Sequence, residues 1–322
     1  MGVASLITMV DTSVRNTCAV HTTVQPRNRQ QKGETMSDLV NYEGKRVVVV
    51  GGSTGMGAAT AQQAAQLGAE VIVLDVADIG YPCTQAIKVD LRDQTSVDAA
   101  LDQIQGPVHA VLACAGVADG TPNIMTINFT SQRHLVEALV TTGKLGPGGS
   151  IGFISSVAGL GWMDNLDNLK EFLATPDWDT AAAWIDEHEG TDGYGFSKMA
   201  INCYVAQQAF PMLQKGLRIN AIMPGPTDTP LAQANADQWL TFGADYREAA
   251  DVPTLVPAQM SNTLLFLASD AASGVNGITM LVDQGHVAAS LVDAFDAPLV
   301  KVLAGLAEFE PWMLGVGERP ES

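Results

Sequence analysis

Tyr194 and Lys198 stand four residues apart in Tyr194-Gly195-Phe196-Ser197-Lys198, a spacing that puts both on one face of a helix. A free phenol ionises near pH ~10, and an ammonium beside it favours the phenolate. The pair therefore predicts a phenol that takes and gives a proton near neutral pH. Such spacings also arise by chance on exposed helices, so other groups must accompany it. Ser156 ends the apolar run Ile151–Ser155, at the expected carboxyl end of a strand, where open parallel sheets bind ligands. A hydroxyl there can hold a substrate oxygen, or simply cap a turn. Asn128 falls inside an expected helix, an unfavourable place for asparagine, which suits a polar task or plain exposure.

A second constellation lies upstream. The run Gly51-Gly52-Ser53-Thr54-Gly55-Met56-Gly57 follows a valine-rich segment and precedes an alanine-rich one. Glycines at 51, 55 and 57 permit a tight turn that brings backbone N–H groups, with those of Ser53, Thr54 and Met56, to a pyrophosphate. The positive end of the following helix points at the same place. Asp75 closes the next apolar segment, 18 residues after Gly57. A carboxylate there accepts from adenosine ribose hydroxyls and repels the additional phosphate of NADP. No Lys or Arg lies between Asp75 and Tyr81 to offset it, so the expected cofactor is NAD. A solvated strand-end aspartate is the plain alternative.

The elements that must position these residues follow from periodicity. Continuous apolar runs predict buried strands at 46–50, 70–75, 86–89, 108–113, 150–155, 217–222 and 278–282. Amphipathic stretches predict helices at 58–67, 96–104, 124–140, 193–214 and 256–268. This alternation implies right-handed crossovers and a parallel sheet covered on both faces. Two segments break the rhythm. Residues 160–191 carry Trp162, Trp178 and Trp184 and show helical spacing at 165–174 and 178–188. The tail 286–322 is apolar, with Leu291, Phe295, Leu299, Val302, Leu306, Phe309 and Trp312. Both are expected to be added helices that frame a substrate pocket, the tryptophans serving either core packing or substrate stacking.

Composition bounds the partners. The chain has 322 residues, 47% hydrophobic and 16% charged, with a formal net charge of −18. That suits a folded globular protein and disfavours nucleic acid, whose phosphates a polyanion repels. No apolar run reaches the length of a membrane span. Cys18, Cys83, Cys114 and Cys203 form neither a Cys-x-x-Cys pair nor a metal cluster, so free thiols in a reducing cytoplasm are expected, and no metal. Residues 1–36 lack periodicity and are expected to be a disordered extension, leaving 37–322 as the folded domain.

The order of glycine-rich loop, Asp75, Asn128, Ser156, Tyr194 and Lys198 resembles the short-chain dehydrogenase/reductase family, from about Lys45 to Gly285. Asp90-Leu91 resembles the acid–apolar pair that the family places beside the adenine. Ala113-Cys114-Ala115-Gly116 stands where the family has Asn-Asn-Ala-Gly, which puts Ala115 and Gly116 at the cofactor. The run Arg218–Gly225 resembles the strand-six motif, with Pro224 and Gly225 at its end, and Thr227 and Thr229 look like the residues that hold the carboxamide. There are departures. Val50 replaces a usual threonine, Ala113 and Cys114 replace both asparagines, and Asp283-Gln284-Gly285 replaces Asp-Gly-Gly. Ser156 and Tyr194 are also 38 positions apart (194 less 156), more than the family norm. The long insert makes the chain similar to the subgroup containing 3α-hydroxysteroid dehydrogenase/carbonyl reductase and coniferyl alcohol dehydrogenase.

The resemblance implies a single Rossmann-type, doubly wound parallel α/β sheet and hydride transfer between NAD(H) and a secondary alcohol, ketone or aryl alcohol. The substrate would be hydrophobic, such as a hydroxysteroid or a cyclic or aromatic alcohol. It assigns proton transfer to Tyr194 and the substrate-oxygen contact to Ser156. Lys198 would lower the phenol's pKa and hold ribose, and Asn128 would hold a water linking Lys198 to solvent. The implied choice of Ser156 over Ser155 rests on the same alignment. It also implies a homo-oligomer, with the insert remodelling the usual interface over the helices of Asn128 and Tyr194. A non-catalytic NAD-binding sensor or an assembly protein on the same fold is the alternative; sensors of that kind usually lack the Tyr/Lys pair.

Overall fold

A computed structural model describes residues 35–310 and Met313. The expected disordered extension, but for its last two residues, lies outside them, as do Cys18 and Trp312. The chain begins with the short helix α1 (Met36–Leu39). Seven parallel strands follow: β1 (Arg46–Val50), β2 (Glu70–Asp75), β3 (Gln85–Lys88), β4 (Val108–Ala113), β5 (Leu145–Ile154), β6 (Arg218–Pro224) and β7 (Thr279–Val282). They are ordered β3-β2-β1-β4-β5-β6-β7. The direction of winding reverses between β1 and β4, which opens a crevice at the carboxyl ends of the strands.

The valines of β1 show why this sheet is covered on both faces. Val47 and Val49 enter one core, under helices α2 (Gly55–Gln66) and α11 (Pro257–Ala268). Val48 and Val50 enter the other, under α3 (Gln94–Gln103), α4 (Ser131–Thr141) and α7 (Tyr194–Gln214). Alternate side chains of one strand thus feed two apolar layers.

Most elements begin or end one to three residues from the expected boundaries, and two depart in kind. Strand β5 begins at Leu145, which pairs with Val108, and the ladder then shifts so that Ala110 faces Ser150. The Gly-Pro-Gly-Gly run at 146–149 is carried as an irregularity inside the strand. The helix expected at 124–140 opens instead with a π-turn over Thr126–Thr130 before α4. Such turns recur at functional sites because they re-aim a side chain, and Asn128 sits in this one, fully buried.

The insert forms α5 (Leu166–Leu173) and α6 (Trp178–Glu187). Contrary to expectation, they pack away from the crevice. Phe172 meets Phe129, Trp184 and Phe196 with ring centroids 5.3–5.8 Å apart, and Arg133 donates to the Thr175 carbonyl. Trp178 and Trp184 are buried in the same core and Trp162 packs against it, so the insert's three tryptophans are core residues. After β6 come the short helices α8 (Pro230–Gln233), α9 (Ala236–Trp239) and α10 (Ala244–Ala249). After β7 come α12 (His286–Leu291) and α13 (Pro298–Leu303). Val300 of the tail is buried against Val157, Met223 and Val287. No described helix is long and apolar enough to cross a membrane.

Because Phe172 joins the insert to the helices of both Asn128 and Tyr194, its loss leaves a cavity between them. Phe172→Ala should lower the free energy of unfolding by about 3–5 kcal/mol, measured by denaturant titration; a change under about 1 kcal/mol would contradict this packing.

Candidate active site

The first strand turns into α2 so tightly that side chains have no room. Gly51 has φ +78°, and a Cβ there would lie 2.4 Å from the Ala115 Cα. A Cβ on Gly57 would lie 2.0 Å from the Gly51 carbonyl oxygen. These glycines let the ends of β1 and β4 approach and bring backbone to the cavity. The leading N–H groups of α2 have no partner inside the helix. Its first turn carries no acidic residue and Thr54 makes no side-chain cap, leaving the positive end for an anion. This donor set fits the pyrophosphate of a dinucleotide.

Asp75 is more than a strand-end carboxylate. It accepts from the Ser53 N–H at 2.8 Å and from the Ala77 N–H at 2.9 Å, so it braces the glycine loop while keeping lone pairs for other donors. Tyr81, which the sequence did not single out, donates its hydroxyl to the Gly52 carbonyl; an aromatic residue in a loop carries no signal of that. Asp90 is clasped by Arg92, whose Nη2 lies 2.6 Å from one carboxylate oxygen. The hydrogen bond from Arg92 holds the Asp90 carboxyl below the usual range.

A cavity of about 740 Å³ occupies the crevice, a size that suits a small-molecule or cofactor site. The expected cofactor residues all line it: Gly51, Ser53, Thr54, Gly55, Met56, Gly57, Asp75, Asp90, Leu91, Ala115, Gly116, Pro224, Gly225, Thr227 and Thr229. Ser156, Tyr194 and Lys198 line it as well. Asn128 stands behind the wall. Its Oδ1 accepts from the Val117 N–H at 2.8 Å, and its Nδ2 donates to the Val117 carbonyl and to Ser197 Oγ. No residue of 160–191 lines the cavity, which corrects the expectation that the insert frames it; the tail contributes Leu303. Cys114 also lines it, and burial pushes its thiol up to about 12.

The three lining groups converge at the end of β5. The Ser156 hydroxyl stands by the Tyr194 phenol, where it favours the phenolate, and accepts from the Ala158 N–H at 3.2 Å. The Lys198 ammonium lies 5.3 Å from the centroid of the Tyr194 ring and donates to the Ile154 carbonyl at 3.0 Å. Burial works against the lowering of the phenol's pKa expected from Lys198. Burial pushes the phenol up to about 12, with the Ser156 hydroxyl working against that and the Asp119 charge adding to it. Burial also draws the Lys198 ammonium down to about 8. The aromatic residue on the phenol is Trp239 of α9, with centroids 4.8 Å apart. Substrate residues are expected in the segment 231–246, but with no periodicity there the sequence does not single out Trp239.

Comparison with known proteins agrees with this geometry. A family model described as short chain dehydrogenase matches residues 45–166, and one described as Enoyl-(Acyl carrier protein) reductase matches 182–286. The 3-alpha-hydroxysteroid dehydrogenase/carbonyl reductase of Comamonas testosteroni is 30% identical over 250 residues, 74% of this chain and 95% of that protein. The chain belongs to the short-chain dehydrogenase/reductase family.

The coniferyl-alcohol dehydrogenase of Pseudomonas sp. (strain HR199 / DSM 7063) is 28% identical over 251 residues, 75% of this chain and 96% of that protein. Among solved structures, the 3-alpha-hydroxysteroid dehydrogenase from Pseudomonas sp. B-0831 complexed with NADH has a TM-score of 0.61 at 22% identity, covering 78% of this chain and 99% of that one; at that identity the likeness is one of fold. This short-chain dehydrogenase/reductase is thus an oxidoreductase by family, with the family's sheet order and glycine turn in place.

Proposed function

We propose that this protein is an NAD-dependent dehydrogenase that oxidises a hydrophobic secondary or aryl alcohol, or reduces the matching ketone or aldehyde. The observation that carries the reading is one cavity with the glycine turn and Asp75 at one end and Ser156, Tyr194 and Lys198 at the other. The nicotinamide cofactor, when bound, supplies the hydride acceptor or donor. The first turn of α2 holds its phosphates and Asp75 receives the adenosine ribose hydroxyls. Lys198, with one of its three donors engaged by Ile154, offers the others to the nicotinamide ribose. Ser156 donates to the substrate oxygen and holds it beside the phenol. In oxidation the Tyr194 phenolate takes the hydroxyl proton at its Oη; in reduction the phenol returns it.

The cavity walls include Val157, Leu231, Phe242 and Leu303, with Trp239 on the Tyr194 ring, which supports an apolar, ring-bearing substrate. The 3-alpha-hydroxysteroid and coniferyl-alcohol dehydrogenases named above are consistent with that choice. Because α5 and α6 cover the outer face of α7 and the π-turn, self-association expected from the resemblance would use another surface.

Tyr194→Phe removes the proton carrier without changing the ring. It should abolish turnover of a panel of steroid, cyclic and aryl alcohols, followed by NADH absorbance, while NADH binding persists; substantial residual turnover would remove Tyr194 from this role. Asp75→Ser removes both the ribose acceptor and the charge facing an additional phosphate. The ratio of kcat/KM with NAD to that with NADP should fall at least about tenfold, the equivalent of one charged hydrogen bond. An unchanged ratio would contradict the NAD assignment, even if both cofactors lose affinity through the loosened Ser53.

A further inference from the structure

Helix α7 starts at its reacting residue, and nothing local caps it. Gly193 occupies the N-cap with extended backbone and no side chain to accept from the first turn. At three other helices the side-chain cap is local. Asp93 accepts from Thr95 N–H at the start of α3, Asp177 from Thr180 N–H at the start of α6, and Thr229 from Ala232 N–H at the start of α8. At α7 the acceptor comes from 75 residues away: Asp119 Oδ1 receives the main-chain N–H of Tyr194 at 2.6 Å.

The loop that brings Asp119 is itself tied down. Two residues earlier, both the N–H and the carbonyl of Val117 are held by the Asn128 side chain. The same Asn128 amide donates to Ser197 Oγ at 3.2 Å, and that hydroxyl donates to the Tyr194 carbonyl at 2.6 Å. Both backbone groups of Tyr194 are therefore linked to the segment 117–119, the N–H directly through Asp119 and the carbonyl through Ser197 and Asn128. Asp119 and Tyr194 line the same cavity.

We propose that Asp119 is a positioning residue for Tyr194: it supplies the missing cap of α7 and sets a negative charge at the start of the helix that carries the phenol. This rests on the reading of Tyr194 as the proton-transfer group. The groups that face the phenol are Ser156 from the end of β5, Lys198 from α7, Trp239 from α9 and Asp119 from the loop after β4. The Asp119 charge disfavours the phenolate, opposite in sign to the Lys198 ammonium, which lies 5.3 Å from the ring centroid. It also offsets the positive end of α7, which alone would favour the anion. Asp119 thus does two separable things, one through its acceptor oxygen and one through its charge.

Asp119→Asn keeps an acceptor oxygen and removes the charge; Asp119→Ala removes both. The readout is kcat for alcohol oxidation against pH, at low and high salt, with NAD in excess. Oxidation needs the phenolate, so its rate rises with pH toward the phenol's ionisation. Without the charge that rise should move to lower pH, by about 0.3–0.5 unit for an exposed carboxylate near the ring, and the displacement should shrink at high salt. Asp119→Ala should show the same displacement together with a plateau lowered about fivefold, the loss of one cap expressed as a rate, whereas Asp119→Asn should lose less. Coincident pH profiles for wild type and Asp119→Asn at low salt, or a wild-type plateau in Asp119→Ala, would overturn the proposal. Tyr194→Phe measured alongside separates the two levels. Turnover in that variant means that the reading of Tyr194 has failed. Silence there with coincident profiles means that only the role of Asp119 has.

Discussion

A lysine ammonium buried to 3% exposure is costly to fold around, and the end of β5 is built to hold one. The Ile154 carbonyl accepts from Lys198 Nζ, and Gly116 flanks the ammonium, its Cβ position 3.6 Å from Nζ. The helix is clamped at the same level. Ser155 Oγ donates to the Lys198 carbonyl, Asn202 donates to the Gly159 carbonyl, and a Cβ on Gly159 would lie 2.8 Å from the Lys198 backbone. Whatever fixes the carboxyl end of β5 therefore fixes α7, and with it the distance between the Ser156 hydroxyl and the Tyr194 phenol.

This constraint explains how the site tolerates a long excursion between Ser156 and Tyr194. The 160–191 segment leaves the end of β5, buries Phe172 and Trp184 against α7 and the π-turn, and returns the chain to Gly193. The insert adds apolar support behind the helix rather than walls to the cavity. The segments after β6 and the tail supply apolar walls instead, with Phe242 and Leu303 lining the cavity and Trp239 lying on the Tyr194 ring. Scaffold and specificity surfaces thus come from different parts of the chain.

What could be read from the sequence was what periodicity and local spacing encode. The valines of β1, the glycine turn and the Tyr194/Lys198 pair each signal through neighbours in the chain, and each stands where expected. Long-range pairing was not readable. Asp119 reaching Tyr194 N–H, Tyr81 reaching the Gly52 carbonyl and Trp239 lying on the phenol all join segments that only the fold brings together. The π-turn was hidden because one additional residue per turn leaves the apolar pattern of 124–140 almost intact. The surroundings of Tyr194 were unreadable for a related reason: a four-residue spacing says that a lysine is near, but not how far burial of the phenol works against it.

The most direct measurement is a crystal structure with NADH and a non-reacting ketone analogue. The account predicts the pyrophosphate on the first turn of α2, the adenosine ribose on Asp75, and the nicotinamide ring beside Tyr194, with the analogue's oxygen within hydrogen-bonding reach of both the phenol and Ser156 Oγ. A dinucleotide bound with its nicotinamide end away from Tyr194, or an analogue oxygen that reaches neither hydroxyl, would contradict it.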